Sequence, residues 1–200
     1  MDEGARLTET ASEDAGLVAR IRRGDLDAFE FLYRKYRTRL YRTALAITGD
    51  RGAAEEILQD AFVRAYAAMG KVDGCASLSP WLHRIVVNLS CNWSRRNRQW
   101  WVPLDTWMDR LAVPALLPEH TAEAIELGEI VREALGRLSF DQRAVIALYY
   151  VQGFSLLEIA YILDCPVGTV KSRLHYACQA LRKRLKEDKR LTGEVVYGTS

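Results

Sequence analysis

Hydrophobic residues recur at three- and four-residue steps along most of the chain, which is the spacing of amphipathic helices. Segment 27–49 is the first strong case, and its periodic apolar residues are Phe29, Leu32, Tyr33, Tyr36, Leu40, Ala44 and Leu45. Gly49 is suited to end this helix, and Asp50 is suited to cap the next one. No stretch alternates with the two-residue period of a strand, so the pattern predicts an all-α protein.

Two more helices are predicted in the first half of the chain. In segment 50–70 the expected buried stripe consists of Ile57, Leu58, Ala61, Phe62, Ala65 and Met69, and Gly70 ends the helix. After a loop at 71–79, Pro80 is expected to open the third helix, because a proline costs least in the first turn. These pieces predict an N-terminal domain over 14–100, preceded by a disordered tail at 1–13.

The second half of the chain divides into a linker and a second domain. Segment 101–120 holds prolines at 103, 114 and 118, which exclude one long helix. Helical spacing resumes over 121–190, and a tail at 191–200 ends the chain. The expected architecture is therefore two small helical domains joined by a flexible linker. Trp101 and Trp107 are too apolar for a freely solvated linker, so we expect them to dock on a surface.

Segment 155–185, SLLEIAYILDCPVGTVKSRLHYACQALRKRL, contains two helical patterns separated by a short turn. Ser155 and Glu158 have the spacing of a capping box. Asp164 occupies a turn position at which a left-handed backbone is expected, and aspartate tolerates that conformation better than most residues. Pro166 then starts the second helix. The spacing predicts a helix-turn-helix in a C-terminal four-helix domain.

The second of these helices has one apolar face and one polar, basic face. Its apolar residues are Val170, Leu174, Ala177, Leu181 and Leu185. The polar side carries Lys171, Ser172, Arg173, His175, Tyr176, Gln179, Arg182 and Lys183. Such a helix fits a DNA major groove, where arginine and lysine donate to guanine. Plain helical bundles contain similar helix pairs, so the motif alone leaves that alternative open.

The charge is unevenly distributed although the net charge is only +2. Acidic residues dominate 105–133, whereas basic residues dominate 165–190 and the run 94–98. This distribution suggests local contacts with a polyanion, with an ordinary solvated face as the alternative.

Several classes of protein are disfavoured by the sequence. The start of the chain has neither the basic beginning nor the apolar core of a signal peptide, and no apolar run is long enough to span a bilayer, so we expect no membrane insertion and a cytosolic protein. The four cysteines are scattered and are expected to be free thiols. No catalytic triad, phosphate loop or paired metal-ligand motif is present, so we expect no enzyme activity, no cofactor and no metal.

Segment 158–185 resembles the C-terminal promoter-reading region of the extracytoplasmic-function (ECF) group of sigma-70 family factors. Segments 28–69 and 80–98 are similar to the N-terminal conserved region of the same family, in the expected order. The resemblance covers roughly 14–186. It implies a dissociable subunit of bacterial RNA polymerase that recognises the −10 and −35 promoter elements and opens the DNA strands.

The resemblance implies contact residues by position. The contacts with core polymerase would be made by Glu55, Glu56, Gln59, Asp60 and Arg64. The −10 DNA contacts would be made by Asn88, Asn92, Trp93, Arg95 and Arg96. The −35 DNA contacts would be made by Thr169, Lys171, Ser172, Arg173, His175, Tyr176, Gln179, Arg182 and Lys183. An ordinary solvated face is the alternative for the first set, and packing inside the protein is the alternative for Trp93.

The resemblance also implies partners and shows departures. The expected partners are core RNA polymerase, through its large-subunit clamp and flap, promoter DNA and an anti-sigma factor. Asp164 stands where the family usually has glycine, and Tyr176 and Cys178 replace frequent basic residues, which favours a different −35 preference or weaker phosphate contacts. An autonomous helix-turn-helix regulator, which binds duplex DNA without polymerase, remains the alternative function.

Overall fold

The segments with helical spacing of apolar residues form helices in the described part of the chain. The computed structural model describes residues 3–72, 78–96 and 122–192, and within these ranges every regular element is helical. The prediction of an all-α fold is confirmed. The predicted linker at 101–120 lies outside the described residues.

The described residues form two groups of helices, which we call the N-lobe and the C-lobe. The N-lobe contains α1 (Glu3–Arg22), α2 (Leu26–Thr48), α3 (Arg51–Ala68), a 3-10 turn (Met69–Lys71) and α4 (Leu78–Arg96). The C-lobe contains α5 (Ala122–Gly136), α6 (Phe140–Ile146), a π-helical turn (Ala147–Val151), α7 (Leu156–Leu163), α8 (Val167–Glu187) and the short α9 (Lys189–Thr192).

Local side-chain signals account for the helix ends. Gly49 ends α2 in the left-handed conformation, and the Asp50 side chain accepts the Ala53 N–H to cap α3. Ser155 and Glu158 form the predicted capping box at the start of α7. Asp164 ends α7 with φ 51° and ψ 51°, which is the predicted left-handed position.

Three helix boundaries differ from the sequence-based expectation. Helix α1 begins at Glu3, within the segment for which a disordered tail was predicted. Helix α3 ends at Ala68, because the chain tightens into the 3-10 turn before Gly70. Helix α4 begins at Leu78 instead of Pro80, and the Leu78 N–H donates to a side chain from α1.

Each lobe has an apolar core, and the core of the C-lobe extends into the N-lobe. The N-lobe core joins α1 to α4 through fully buried side chains such as Leu32, Leu40 and Leu82. The C-lobe core is built around Leu148, Ile159 and Val170, but it also includes Ile47 of α2 and Val87 of α4. The two lobes therefore share apolar contacts.

Polar contacts reinforce this interlobe packing. Arg39 of α2 donates from Nη2 to the Gln152 backbone carbonyl (3.1 Å) and from Nε to Oε1 of the same residue (3.3 Å). Gln152 donates in return to the Arg39 carbonyl oxygen at 3.1 Å. Gln152 is buried, so this reciprocal pair satisfies polar groups that docking removes from water.

Candidate polymerase and nucleic-acid interfaces

The residues predicted to contact core polymerase lie together on the outer side of α3. The opposite side packs into the core through Ala54, Ile57 and Ala61. The exposed strip, which we call the α3 strip, contains Glu55, Glu56, Gln59, Asp60 and Arg64. None of its side chains has a hydrogen bond or ion pair with another residue in the described ranges. The α3 strip is therefore a mostly acidic surface without internal partners.

An exposed valine beside the α3 strip was not among the residues predicted from the sequence. Val63 is 70% exposed and lies on the side of α3 opposite the buried stripe. Tyr66 is 44% exposed, and its ring packs edge-on against Phe29 with centroids 5.0 Å apart. The helical period places position 63 outside the buried stripe. Its valine could therefore have been recognised from the sequence as an exposed apolar residue. The mostly acidic α3 strip thus lies next to exposed apolar surface.

Helix α4 presents a polar stripe at four-residue spacing. Asn88, Asn92, Arg95 and Arg96 are all exposed, as expected for groups that meet nucleic acid. Arg84 lies four residues before Asn88, so it belongs to the same stripe although it was not among the predicted −10 contacts. We call these five residues the α4 stripe.

Trp93 differs from the other predicted −10 contacts. Its side chain is half-buried and packs against the core of the N-lobe. The alternative of packing is therefore the one that the geometry favours, while base stacking by Trp93 stays a prediction.

The beginning of the α4 stripe is covered by the C-lobe. Arg84 Nη2 lies 3.1 Å from Asp164 Oδ2, and Nη1 donates to the Tyr161 carbonyl oxygen at 3.0 Å. The Arg84 guanidinium also lies over the Tyr161 ring, 5.3 Å from its centroid. Both partners belong to the helix-turn-helix. One predicted DNA-reading motif is thus docked on the helix that carries the other.

The exposed side of α8 gathers most of the predicted −35 contacts. We call this side the α8 face, and its exposed residues are Lys171, Ser172, His175, Tyr176, Gln179, Arg182 and Lys183. Thr169 is half-buried near the start of the helix, and its carbonyl accepts the Ser172 hydroxyl at 3.0 Å. Val170 and Ala177 are buried on the opposite side. The C-lobe core thus holds α8 with a basic, hydrogen-bonding surface outward.

Arg173 is held inside the C-lobe. Its Nη2 lies 2.9 Å from Asp141 Oδ2 on α6, and its Nη1 lies 3.9 Å from the Cys165 sulfur. The side chain is only 29% exposed. A base contact by Arg173 would require breaking its ion pair with Asp141. The spacing of residues along α8 does not predict this pair, because Asp141 lies on another helix.

His83 of α4 is fully buried where the two lobes meet. Its Nδ1 lies 2.7 Å from the Ser79 carbonyl oxygen, and its ring packs edge-on against Phe154 of the C-lobe with centroids 4.7 Å apart. Burial, with a smaller contribution from the nearby Arg39 guanidinium, lowers the His83 pKa to about 4 against the opposing effects of hydrogen bonds to Ser79 and Gln152. His83 is therefore neutral at pH 7 and donates from Nδ1.

We predict that His83 makes the folded protein sensitive to mild acid. The unfolded chain binds a proton near the ordinary pKa of about 6.5, whereas the folded protein does so only near 4, so stability falls as the pH drops through this window. The expected loss between pH 7 and pH 5 is about 2 kcal/mol from this residue. Urea unfolding at both pH values measures it.

His83→Gln is the test variant, and the exposed His175→Gln is its matched control. The pH-dependent loss should shrink by about 2 kcal/mol in His83→Gln and stay unchanged in His175→Gln. Equal pH dependence in all three proteins would contradict this assignment.

Two kinds of feature are absent from the described ranges. No group of three or more histidine, cysteine or acidic side chains there is arranged to hold a metal ion. None of the described helices combines the length and apolarity needed to cross a bilayer.

Comparison with known proteins identifies the family. Residues 32–100 match the family model Sigma-70 region 2, and residues 128–181 match Sigma-70, region 4. The ECF RNA polymerase sigma factor SigW of Bacillus subtilis is 32% identical over 178 residues, which cover 85% of this chain and 95% of the relative. The chain belongs to the ECF group of sigma-70 family factors. As an RNA polymerase sigma factor, it directs promoter-specific transcription initiation.

Other relatives of this sigma factor give the same result. ECF RNA polymerase sigma factor SigM of Mycobacterium tuberculosis is 36% identical over 86% of this chain and 82% of its own length. Among solved structures, CnrH in complex with the cytosolic domain of CnrY is 26% identical with a TM-score of 0.67, covering 88% of this chain and 99% of that one. The sigma factor RpoE in complex with the anti-sigma factor NepR from Bartonella quintana is 27% identical with a TM-score of 0.60, covering 80% and 98%.

The matched regions contain most of the candidate surfaces of this sigma factor. The α3 strip and the α4 stripe lie inside region 2, and the α8 face lies inside region 4 except for Arg182 and Lys183, which follow it directly. Helix α1 lies before the region 2 match.

Proposed function

We propose that this sigma factor uses three separate surfaces to start transcription. The α3 strip binds the clamp of the polymerase large subunit, the α4 stripe binds the −10 element, and the α8 face reads the −35 element. The observation that carries the proposal is the exposure of the α8 face on a helix whose other side is fixed in the C-lobe core. Lys171 and Gln179 are our candidates for base contacts, and Arg182 and Lys183 for phosphate contacts.

We assign Arg173 a supporting role in this proposal. Its ion pair with Asp141 ties α8 to α6, so it fixes the helix that carries the reading residues. In this proposal, one DNA strand of the −10 element and its phosphates are contacted by Asn88, Asn92, Arg95 and Arg96 on α4. In this mechanism the protein opens DNA by binding the separated strands, without covalent chemistry and without a cofactor. We therefore propose that the protein is not an enzyme, and that it acts in the bacterial cytoplasm together with polymerase.

The two lobes must separate for both promoter elements to be read at once. The −10 and −35 elements are centred roughly 25 base pairs apart, which is about 80 Å of B-form DNA. In the free chain, Arg84 of the α4 stripe touches Tyr161 and Asp164 of the helix-turn-helix. The docked arrangement is therefore a closed state, and binding to polymerase supplies the contacts that replace the interlobe ones.

We propose an anti-sigma factor as the regulatory partner. Both solved structures described above are complexes, one with the cytosolic domain of CnrY and one with the anti-sigma factor NepR. An anti-sigma factor on this chain would cover the α3 strip and the DNA-binding surfaces, which have exposed charged groups available for pairing.

Run-off transcription with purified core polymerase tests the proposed function. The chain should confer a defined start site on a promoter template, and core polymerase alone should not. Tight binding to duplex DNA without start-site selection would instead identify an autonomous helix-turn-helix regulator.

Two substitutions on the α8 face should behave differently. Lys171→Ala should weaken −35 binding by about 1–3 kcal/mol and relax the preference at one base pair. Lys183→Ala should weaken binding to every sequence by a similar factor and make the salt slope shallower by about one unit. Binding of the holoenzyme to a set of −35 variants across salt concentrations separates the two effects. Indistinguishable behaviour of both variants and the parent would remove these assignments.

A further inference from the structure

An exposed tyrosine lies beside the α8 face but belongs to another element. Tyr150 is part of the π-helical turn Ala147–Val151 and is 58% exposed. Its hydroxyl oxygen lies 3.6 Å from the sulfur of Cys178 on α8, a hydrogen-bonding contact between residues 28 positions apart in the chain. The Tyr150 side chain therefore reaches from the turn to the helix that carries the predicted −35 contacts.

Cys178 lies at the edge of the α8 face. It follows His175 by three positions and precedes Arg182 by four, and both of these residues belong to the α8 face. Residues at these spacings are neighbours on one side of a helix. The Cys178 side chain is half-buried and packs against the C-lobe core, so it lies between that core and the exposed face. A side chain that contacts Cys178 from outside α8 therefore widens the face along this edge.

The π-helical turn is fixed in the C-lobe on both sides of Tyr150. Leu148 is fully buried in the core, and Gln152 is buried as well. The Gln152 N–H donates to the Ala147 carbonyl oxygen at 3.1 Å, which closes the turn. The Tyr149 ring packs edge-on against the Tyr150 ring, with centroids 5.0 Å apart. Tyr150 is thus held in a defined place although it is exposed, and π-helical turns are frequent at functional sites.

The contact with Cys178 leaves the Tyr150 hydroxyl able to bind an acceptor outside the protein. Either atom of this pair can be the donor. When the Cys178 thiol donates to the Tyr150 oxygen, the hydroxyl hydrogen is free for an outside acceptor. The contact with Cys178 raises the pKa of Tyr150 and outweighs the nearby Arg182 guanidinium, which lowers it, so the hydroxyl keeps its proton at pH 7. A neutral donor and a cation thus lie side by side, an arrangement that suits a phosphate group.

We infer that the Tyr150 hydroxyl donates to a backbone phosphate at the edge of the −35 element, beside the phosphate contact of Arg182, and that Cys178 is its positioning residue. This inference rests on the proposed function, in which the α8 face lies in the DNA groove. Phosphates border the groove, so a donor at the edge of the face meets the backbone instead of the bases. The contact therefore adds affinity for every −35 sequence and carries no base preference.

The test measures binding of promoter duplex to holoenzyme reconstituted from core polymerase and variant sigma factors. Tyr150→Phe should weaken binding about tenfold, because a hydrogen bond to a charged group is lost. The loss should be the same for all −35 sequences. The salt slope should stay unchanged, because a neutral hydroxyl displaces no counterion from DNA. In this respect Tyr150→Phe should differ from Lys183→Ala, for which a shallower slope is expected.

Single methylphosphonate substitutions, each of which replaces one charged phosphate oxygen by a methyl group, identify the phosphate. In wild-type holoenzyme, the substitution at the phosphate bound by Tyr150 should weaken binding about tenfold. In Tyr150→Phe the same substitution should weaken it by no more than about twofold, because the hydrogen bond is already absent. The other sensitive phosphates should keep their wild-type penalties. A loss of folding would not produce this coupling between one side chain and one phosphate.

Matched variants separate the contact from general effects. Tyr33→Phe removes the same atom from another exposed tyrosine, on α2 of the N-lobe, and should bind promoter duplex within about twofold of wild type. Cys178→Ala removes the group that positions Tyr150, so it should weaken binding about threefold and reduce the penalty at the identified phosphate. Cys178→Ser keeps a donor at this position and should bind within about twofold of wild type.

Two outcomes would overturn the inference. One is binding by Tyr150→Phe within about twofold of wild type, with an unchanged methylphosphonate profile. The other is a loss of affinity in Tyr150→Phe that leaves the penalty at every phosphate as in wild type, which would make Tyr150 merely structural. If wild-type holoenzyme binds a −35 duplex no better than unrelated DNA, the proposed function fails, and that result is distinct from both.

Discussion

The double variant Glu56→Lys and Asp60→Lys should lose at least about 100-fold in affinity for core polymerase. Both carboxylates are exposed on the α3 strip and have no partner in the described ranges, so their charge is available to a basic surface. Reversal places like charges opposite each other, which costs several kcal/mol. Folding should be unaffected, because exposed substitutions change stability by only about 0.5 kcal/mol. Equilibrium binding of labelled sigma factor to core polymerase measures the change.

A matched variant carries the same charge change on another helix. Asp27→Lys and Glu30→Lys alter exposed acids on α2, outside the proposed strip, and should bind core polymerase within about threefold of wild type. Equal losses in both double variants would mean that net charge, and not the α3 strip, determines binding. Normal binding by the α3 variant would remove the strip from the interface.

The variant Gln152→Ala should open the free protein. This buried side chain exchanges hydrogen bonds with Arg39, and its loss leaves the guanidinium and a backbone carbonyl of α2 with fewer partners. Each of the two lost hydrogen bonds contributes about 0.5–1.5 kcal/mol, so a total of about 2 kcal/mol should lower the ratio of closed to open molecules by about 30-fold. Small-angle X-ray scattering should detect a larger radius of gyration than the roughly 17 Å expected for a compact 200-residue chain.

Gln179→Ala is the control for this experiment. Gln179 is exposed on the α8 face and makes no hydrogen bond with the N-lobe in the described ranges, so its removal should leave the radius of gyration unchanged. If Gln152→Ala remains as compact as wild type, the reciprocal pair with Arg39 does not hold the lobes together.

The sequence predicted those features of the fold that depend on neighbouring residues. The capping box of Ser155 and Glu158 and the left-handed Asp164 follow from side-chain chemistry within one helical turn. The polar side of α8 follows from the 3.6-residue period, since Val170 and Ala177 fix which side is inward. For these features, interactions between residues close together in the chain were sufficient for a correct prediction.

Contacts between residues far apart in the chain could not be predicted in this way. Arg39 and Gln152 are separated by 113 positions, and nothing in either helical pattern indicates that they pair. His83 had the appearance of an ordinary helix residue, although docking of Phe154 buries its ring. Arg84 was missed because its role depends on the turn at Asp164 meeting α4.

For the predicted site residues, too, features set within one helix could be predicted and contacts between helices could not. Exposure on α3 and α8 followed from periodicity, because each helix has one clear apolar side. The pairing of Arg173 with Asp141 did not, since periodicity describes a single helix and Asp141 lies on another. The contact of Tyr150 with Cys178 likewise requires the assembled C-lobe.

The distance between the two lobes tests the central claim, that a closed free protein separates its DNA-reading helices on the polymerase. A donor fluorophore at Glu30 and an acceptor at Lys186, both exposed, report this distance by energy transfer. Transfer should be efficient in the free protein and should fall sharply when core polymerase and promoter DNA are added, because the two elements lie about 80 Å apart. Equally efficient transfer in the free protein and in an actively transcribing complex would contradict the account.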